Sequence, residues 1–202
     1  MQQSKRQELE ERRRQHQLRQ GAETFAASSL QSYVEILDYL DQQGVALKII
    51  QLMYVRSEWE IPIQTILQGA PYAAYGFRPD HLEGSGMEEK MDELYLRYPS
   101  TNPLRYVPSL PKLADYNALS HGEIRNGLKK AAALLGLSNQ KVFLYYLRYA
   151  PLIEVSLFDI LEHDHKDLFN LWHGDAVIFP ADLSWLMAFT LEEEWYAGKY
   201  EI

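Results

Sequence analysis

Two short apolar segments near the end of the chain, Ala176–Phe179 and Trp185–Phe189, are separated by Pro180-Ala181-Asp182-Leu183-Ser184. Proline and aspartate interrupt regular strands and favour turns. Because each apolar segment has the length and the residue types of a strand, the sequence predicts a strand, a loop and a second strand here. A β-sheet is therefore expected to be part of the fold.

Helical and extended patterns account for much of the remaining chain. Apolar residues at steps of three and four predict helices over residues 22–43, 87–96, 120–135 and 157–172. The helix over residues 120–135 begins with the capping box Ser120-His121-Gly122-Glu123. Gly44 and Gly136 are expected to end two of them. Stretches rich in β-branched and aromatic residues predict strands over residues 45–55 and 142–149. Together these elements indicate an α+β fold, with helices packed on a small antiparallel or mixed sheet.

Prolines suggest how the chain is divided. Residues 99–119 contain four prolines, which interrupt regular secondary structure. We therefore expect a polar N-terminal helical arm over residues 1–20, an α/β lobe over 21–98, a proline-rich connector over 99–119 and an α+β lobe over 120–202. The two lobes can still share one core.

The composition excludes several kinds of site. The 202 residues include no cysteine, which rules out disulfides, thiolate nucleophiles and zinc–thiolate centres. No run approaches the roughly 18 apolar residues that a membrane-spanning helix requires. Residues 1–20 are polar and lack the apolar core of a secretory signal peptide. A cytoplasmic protein that neither enters a membrane nor carries a cofactor is the resulting expectation.

Charge is distributed unevenly along the chain, whose net charge is −8. Residues 1–20 carry six basic and three acidic side chains, a net charge of +3. From Glu154 to Ile202, eleven acidic side chains oppose only Lys166 and Lys199, a net charge of −9. Such an acidic region repels the phosphates of nucleic acids and attracts basic proteins over long distances. The acidic part of the chain, which follows the basic residues 1–20, is thus expected to bind a basic protein partner and not a nucleic acid.

Aromatic and acidic residues are interleaved near the C-terminus. Tyrosine and tryptophan often supply the main contacts of protein interfaces, and carboxylates accelerate encounters with basic ligands. We therefore predict a partner-binding surface made of Asp175, Asp182, Trp185, Glu192, Glu193, Glu194, Trp195 and Tyr196. Paired carboxylates beside aromatics could also serve glycoside hydrolysis, but nothing in the sequence sets two of them at the required separation. No catalytic residue is assigned.

The segment from residue 163 to residue 175 contains histidines and aspartates, whose side chains can bind Zn²⁺ or Mn²⁺. The candidate ligands are His163, His165, His173 and Asp175. If the segment is helical, His163 and His165 point about 200° apart and cannot face one ion. A solvated helix face is therefore the preferred interpretation, and no metal is predicted. The sequence also lacks the Gly-x-Ser-x-Gly, Ser-x-x-Lys and His-Glu-x-x-His patterns of common hydrolases.

The C-terminal segment from Gly174 to Trp185, followed by Thr190 and the run Glu192–Glu194, resembles the terminal strands of small uncharacterised bacterial proteins. Some of those proteins accompany polymorphic toxins as immunity proteins. The resemblance extends over about thirty residues and implies a bacterial cytosolic α+β protein that binds and blocks a basic toxin domain. The acidic charge of the C-terminal third independently favours a basic partner.

Three functions remain open at this level. The leading hypothesis is a cytosolic binding or inhibitory module of the immunity type, and an enzyme is the less favoured expectation. The first alternative is a metal-dependent, hydrolase-type enzyme that uses the His/Asp cluster. The second alternative is a structural protein that forms homodimers or larger homo-oligomers, since tyrosine-rich sheets also make such interfaces.

Overall fold

A single antiparallel β-sheet is the centre of the molecule. The structure, a computed structural model, describes residues 2–51, 57–66, 87–104, 106–110, 124–147, 152–163, 168–169, 175–190 and 194–200. Within these ranges the sheet has six strands in the order β1-β3-β2-β4-β5-β6. The strands are β1 (Lys48–Gln51), β2 (Lys141–Tyr146), β3 (Leu152–Ser156), β4 (Ala176–Pro180), β5 (Trp185–Phe189) and β6 (Trp195–Lys199). Every neighbouring pair is antiparallel.

Helices cover both faces of this sheet. They are α1 (Gln2–Phe25), α2 (Gln31–Gln42), α3 (Glu60–Ile66), α4 (Glu88–Arg97), α5 (Ile124–Leu134) and α6 (Leu157–Glu162). A π-helical stretch, Ala26–Leu30, joins α1 to α2, and a 3₁₀ turn, Ser57–Trp59, precedes α3. The predicted α+β fold is therefore confirmed, and the sheet is antiparallel. None of the helices in the described ranges combines the length and apolar character needed to cross a membrane.

Burial on both faces explains why the central strands have almost no polar residues. On one face, Val142, Leu144 and Tyr146 of β2 pack in a core with side chains of α2, α5 and α6. On the other face, Phe143 and Tyr145 of the same strand pack in a core with α4. An antiparallel sheet with one solvated face would alternate apolar and polar residues. Here every residue of β4 and β5 is buried.

The N-terminal helix is longer than its predicted boundary. α1 runs without interruption through residues 20 and 21, where the arm was expected to meet the first lobe. The predicted end of α2 is confirmed: Gly44 has φ +71°, its N–H binds the carbonyl of Asp41, and the N–H of Val45 binds that of Leu40. This pair of bonds defines a helix-terminating motif that requires a left-handed residue, which glycine adopts at low cost.

The predicted helix over residues 157–172 is interrupted at His163: residues 168–169 are helical again, and residues 164–167 and 170–172 lie outside the described residues. α6 ends at Glu162, and His163 has extended backbone angles. Residues 162–167 read Glu-His-Asp-His-Lys-Asp, which places no apolar side chain between Leu161 and Leu168.

The sheet joins distant parts of the sequence. β1, from the range assigned to the first lobe, pairs with β3, from the range assigned to the second lobe. Part of the proline-rich connector is buried as well, including Tyr106 and Val107. The division into arm, lobes and connector remains a prediction, while the core on the α2 side contains residues from both lobe ranges.

Candidate functional site

Three members of the predicted partner-binding surface are in the interior. Asp175 is 2% exposed, Trp185 is 3% exposed and Trp195 is 2% exposed, so they cannot present their side chains to a partner. Trp185 and Trp195 belong to the core on the α2 side of the sheet, which takes alternate residues of β5 and β6. The sequence does not reveal this because a tryptophan beside acidic residues fits an interface as well as a core.

Asp175 instead holds the connector against the sheet. Its carboxylate Oδ2 accepts a hydrogen bond from the backbone N–H of Tyr106 at 3.1 Å. Its carbonyl accepts a hydrogen bond from the N–H of Leu147 at 2.9 Å, which extends the pairing between the β2 and β4 ends. A buried carboxylate is stabilised by such donors. Asp175 therefore has a structural role in this fold.

Trp195 is part of an aromatic cluster on the α2 side of the sheet. Its ring centroid lies 4.9 Å from that of Phe169 and 5.0 Å from that of Phe189. These distances are typical of favourable edge-to-face and tilted ring packing. The indole N–H groups of Trp185 and Trp195 are buried and have no hydrogen-bond partner in the described part of the chain.

The remaining predicted residues do not form one patch. Asp182 is exposed in the β4–β5 turn, where its carboxylate accepts bonds from the backbone N–H and the hydroxyl of Ser184. These hydrogen bonds lower the pKa of Asp182. Glu194 is half-buried before β6 and accepts a hydrogen bond from the hydroxyl of Tyr196 at 2.8 Å. The length of β5, about 15 Å, separates the two sites, and Glu192 and Glu193 lie outside the described residues.

The candidate metal ligands are not brought together in the described residues. His163 packs edge-on against Tyr39, with ring centroids 6.4 Å apart, and the Asp175 carboxylate accepts a hydrogen bond from the backbone N–H of Tyr106. His165 and His173 lie outside the described residues. Among the residues that the structure places, no group of three histidines, aspartates or glutamates could hold a metal ion.

An acidic surface does occur on α4, on the opposite side of the sheet from α2. Glu89, Asp92, Glu93 and Leu96 have the spacing i, i+3, i+4 and i+7, which places them on one side of the helix, here called the α4 surface. All four are exposed, and Leu96 is 81% exposed. The opposite side of α4 carries Met91 and Leu94, which are buried against the sheet.

The α4 surface is held rigidly because α4 is anchored to the β4–β5 turn. Lys90 Nζ donates to the carbonyl of Ala181, Arg97 Nη1 donates to that of Asp182 at 2.9 Å, and the Tyr98 hydroxyl donates to that of Leu183 at 2.9 Å. Leu183 is buried and has a left-handed backbone, with φ +54°. Three consecutive carbonyls of one turn are thus bound by one helix and the residue that follows it.

Aromatic side chains line both flanks of the α4 surface. On one flank, Tyr95 is partly exposed and packs edge-on against Tyr106, with ring centroids 5.4 Å apart. On the other flank, the Arg97 guanidinium lies 5.0 Å from the centroid of the Tyr200 ring. Burial raises the pKa of the Tyr98 phenol to about 12 and also raises the pKa of Tyr106. Both phenols are therefore neutral hydrogen-bond donors at physiological pH.

A second surface feature lies between α1 and α3. It is an open groove of about 480 Å³ lined by Gln15, Arg19, Glu23, Ile61, Pro62, Thr65 and Ile66. Ile61 is among the most exposed apolar residues of the described chain. The Arg19–Glu23 ion pair forms part of the rim, with 2.7 Å between nitrogen and oxygen.

The α4 surface is not among the residues predicted from the sequence, although helix α4 itself is. The signal was available in the spacing: a leucine stands at position 96, in register with three acidic residues. A leucine aligned with carboxylates is unexpected on a solvated helix face. The predicted surface was placed at the C-terminal acidic run instead, because acidic residues are denser there.

Comparison of the chain with protein-family models, with curated proteins and with solved structures finds no match. Burial, charge and contacts are therefore the observations that point to a candidate surface. Those observations favour the α4 surface, where exposed apolar and acidic side chains lie together on an anchored helix.

Proposed function

We propose that this protein is a protein-binding module whose α4 surface binds a basic partner. The observation that supports this is the 81% exposure of Leu96 beside the carboxylates of Glu89, Asp92 and Glu93. Exposing a leucine to water forgoes roughly 1.5–3 kcal/mol that its burial would contribute. A partner that covers Leu96 recovers this contribution, and basic side chains around it pair with the carboxylates of Glu89 and Asp92, since that of Glu93 pairs with Arg97.

The anchoring of α4 favours binding for a second reason. Association costs less when the binding surface does not have to be ordered first. Lys90, Arg97 and Tyr98 fix the helix to the β4–β5 turn before any partner arrives. The carboxylates then increase the rate of encounter with a basic protein, and the apolar contact of Leu96 slows dissociation.

The more specific form of the proposal is an inhibitory role of the immunity type, in which the cytoplasmic protein covers a basic toxin domain. Its support is the resemblance of the C-terminal segment and the net charge of −8. A toxin that acts on nucleic acid carries a basic substrate-binding surface. An acidic surface of the size of α4 could pair with part of such a surface and exclude the substrate.

Affinity capture from the source organism, followed by quantitative mass spectrometry, tests the proposal. We expect a basic protein to be enriched on the wild-type chain and lost on the double variant Glu89→Lys, Asp92→Lys. We also expect Leu96→Ser to reduce capture. About 0.5 M salt should abolish most of the capture, because at that ionic strength charges more than a few ångströms apart are screened from each other.

The matched control is Asp41→Lys, Glu58→Lys, which makes the same change of charge at two exposed positions away from α4. This variant should retain the partner. Circular dichroism establishes that all variants are folded. A partner that is captured equally by the wild type and by the Glu89, Asp92 variant would contradict the proposal.

A further inference from the structure

The N-terminal part of α1 is a projecting basic helix. Residues 5–17 are all exposed, so the first turns of this helix do not pack on the body of the chain. At 1.5 Å per residue, the 24 residues of α1 span about 36 Å. Lys5, Arg12 and Arg19 recur every seven residues, with Leu9 between the first two, and so form a basic stripe with one leucine.

This stripe is the counterpart of the α4 surface. The basic stripe carries cations at steps of seven and an exposed Leu9, while the α4 surface carries carboxylates and an exposed Leu96. Two helices that lie against each other over about two turns bring such groups into contact. Opposite charges then pair around a contact between the two leucines.

The arm cannot reach α4 of its own chain. The C-terminal part of α1 packs through Ala22 into the core on the α2 side of the sheet, whereas α4 covers the opposite side through Met91 and Leu94. Since α1 is one uninterrupted helix, its N-terminal turns cannot bend around the sheet. Only the α4 surface of another molecule is accessible to the arm.

We propose that the basic stripe of the α1 arm docks on the α4 surface of a second copy of this chain. The proposal rests on the α4 surface being the docking surface proposed above, and it adds a mode of regulation. A copy whose α4 surface is covered by another copy's arm cannot bind the basic partner there. Self-association and partner binding therefore compete.

Intrahelical ion pairs do not prevent this docking. Arg6 pairs with Glu10, and Arg12 pairs with Glu8, in contacts that are exposed on the arm. Exposed pairs of this type contribute little to stability. Arg19, the third cation of the stripe, pairs with Glu23 in the same way, while Lys5 belongs to no ion pair in the described part of the chain. The arm can therefore exchange its internal pairs for intermolecular ones.

Sedimentation equilibrium of the purified full chain tests the inference. At about 0.03 M salt, where the Debye length is about 18 Å, we expect species heavier than the 23.5 kDa monomer. At about 0.5 M salt the monomer should predominate. The arm variant Lys5→Glu, Arg12→Glu and the surface variant Glu89→Lys, Asp92→Lys should each weaken association by about tenfold or more.

A mixing experiment makes the test specific. The acidic arm of the arm variant matches the basic α4 surface of the surface variant. The two variants should therefore associate with each other more strongly than either does with itself. The control Lys129→Glu, Lys130→Glu reverses two exposed charges on α5 and should behave as the wild type. Circular dichroism checks that each variant keeps its helices.

Three results would overturn the inference. The first is a wild-type chain that is monomeric at low salt and at high protein concentration. The second is association that survives the arm variant, which would locate the contact elsewhere, for example in the groove between α1 and α3. The third is mixed variants that do not associate. These experiments contain no partner, so a failure of self-association and a failure of partner capture are distinguishable; if capture alone fails, only the proposed competition is lost with it.

Discussion

The turn between β4 and β5 illustrates how single residues stabilise an unfavourable backbone. Leu183 has φ +54°, a left-handed conformation that costs a leucine roughly 1–2 kcal/mol. Its side chain is fully buried, and its carbonyl accepts the hydroxyl hydrogen of Tyr98 at 2.9 Å. Burial and this hydrogen bond together offset the strain, and they attach α4 to the turn.

Removing the Tyr98 hydroxyl tests this attachment. We expect Tyr98→Phe to lower the free energy of unfolding by about 1 kcal/mol at pH 8, because the Leu183 carbonyl loses a hydrogen bond in the interior. The pKa of Tyr98 is raised to about 12 in the folded chain by burial, whereas an unfolded tyrosine titrates near 10. Stability from the neutral phenol is therefore present below pH 10 and decreases as the pH rises toward 12.

Urea unfolding of Tyr98→Phe and of the wild type at pH 8 and at about pH 11 measures both effects. The wild type should lose more stability between these pH values than the variant does. Tyr95→Phe is the control, since Tyr95 is partly exposed on the same helix. Equal alkaline losses in the wild type and in Tyr98→Phe would show that the Tyr98 phenol does not contribute.

Asp175 gives a second prediction at this scale, since it was expected at the surface and is buried. Asp175→Ala should destabilise the fold by about 1–3 kcal/mol, because the buried N–H of Tyr106 loses its acceptor. Asp175→Asn keeps an acceptor oxygen and should cost less. Thermal unfolding compares the two variants, and unchanged stability in Asp175→Ala would refute the structural role.

At the scale of whole elements, periodicity predicted which segments are helices and strands better than it predicted where they end. β4 and β5 were expected from two apolar segments separated by Pro180-Ala181-Asp182-Leu183-Ser184, and both form, with β4 extending through Pro180. α6 ends at Glu162, where the backbone becomes extended at His163, although the apolar spacing of the sequence continues to Trp172. Trp185 and Trp195 are buried because helices cover both faces of the sheet, and the sequence near these residues does not show that both faces are covered.

The packing of α1 on the 3₁₀ turn before α3 rests on one glycine. A Cβ atom at Gly21 would lie 3.1 Å from Cζ2 of the Trp59 indole, closer than ordinary van der Waals contact. Phe25, one turn further along α1, packs against the same indole with ring centroids 5.4 Å apart. The absence of a side chain at Gly21 thus permits the close approach of the two elements.

Gly21→Val should therefore destabilise the chain by about 1–3 kcal/mol through overpacking. The control Gln20→Val places the same side chain on the exposed side of α1, where only its modest helix preference matters. Urea unfolding of both variants, and of each combined with Trp59→Ala, forms a double-mutant cycle. If Gly21→Val costs as much in the Trp59→Ala background as in the wild type, the clash with the indole is not the cause.

At the scale of the whole molecule, the sheet needs strands and covering layers from both ends of the sequence. β3 is paired on one side by β2 and on the other by β1, which lies about 100 residues earlier in the chain. One core includes Leu37 and Leu40 of α2, and the other includes Met91 and Leu94 of α4. All of these groups precede residue 120, where the second lobe was predicted to begin.

A fragment of residues 120–202 should consequently fail to fold on its own. It would keep five of the six strands but expose apolar side chains on both faces of the sheet, including Phe143, Tyr145 and Phe179. At about 25 cal/mol per Å², exposing roughly 600 Å² of apolar surface is enough to cancel the 5–15 kcal/mol by which whole domains are stable. We expect no cooperative thermal transition, strong binding of a hydrophobic dye and aggregation, whereas the full chain should unfold in one transition. A fragment that unfolds cooperatively would show that the predicted second lobe is an independent domain and that β1, α2 and α4 only add to its stability.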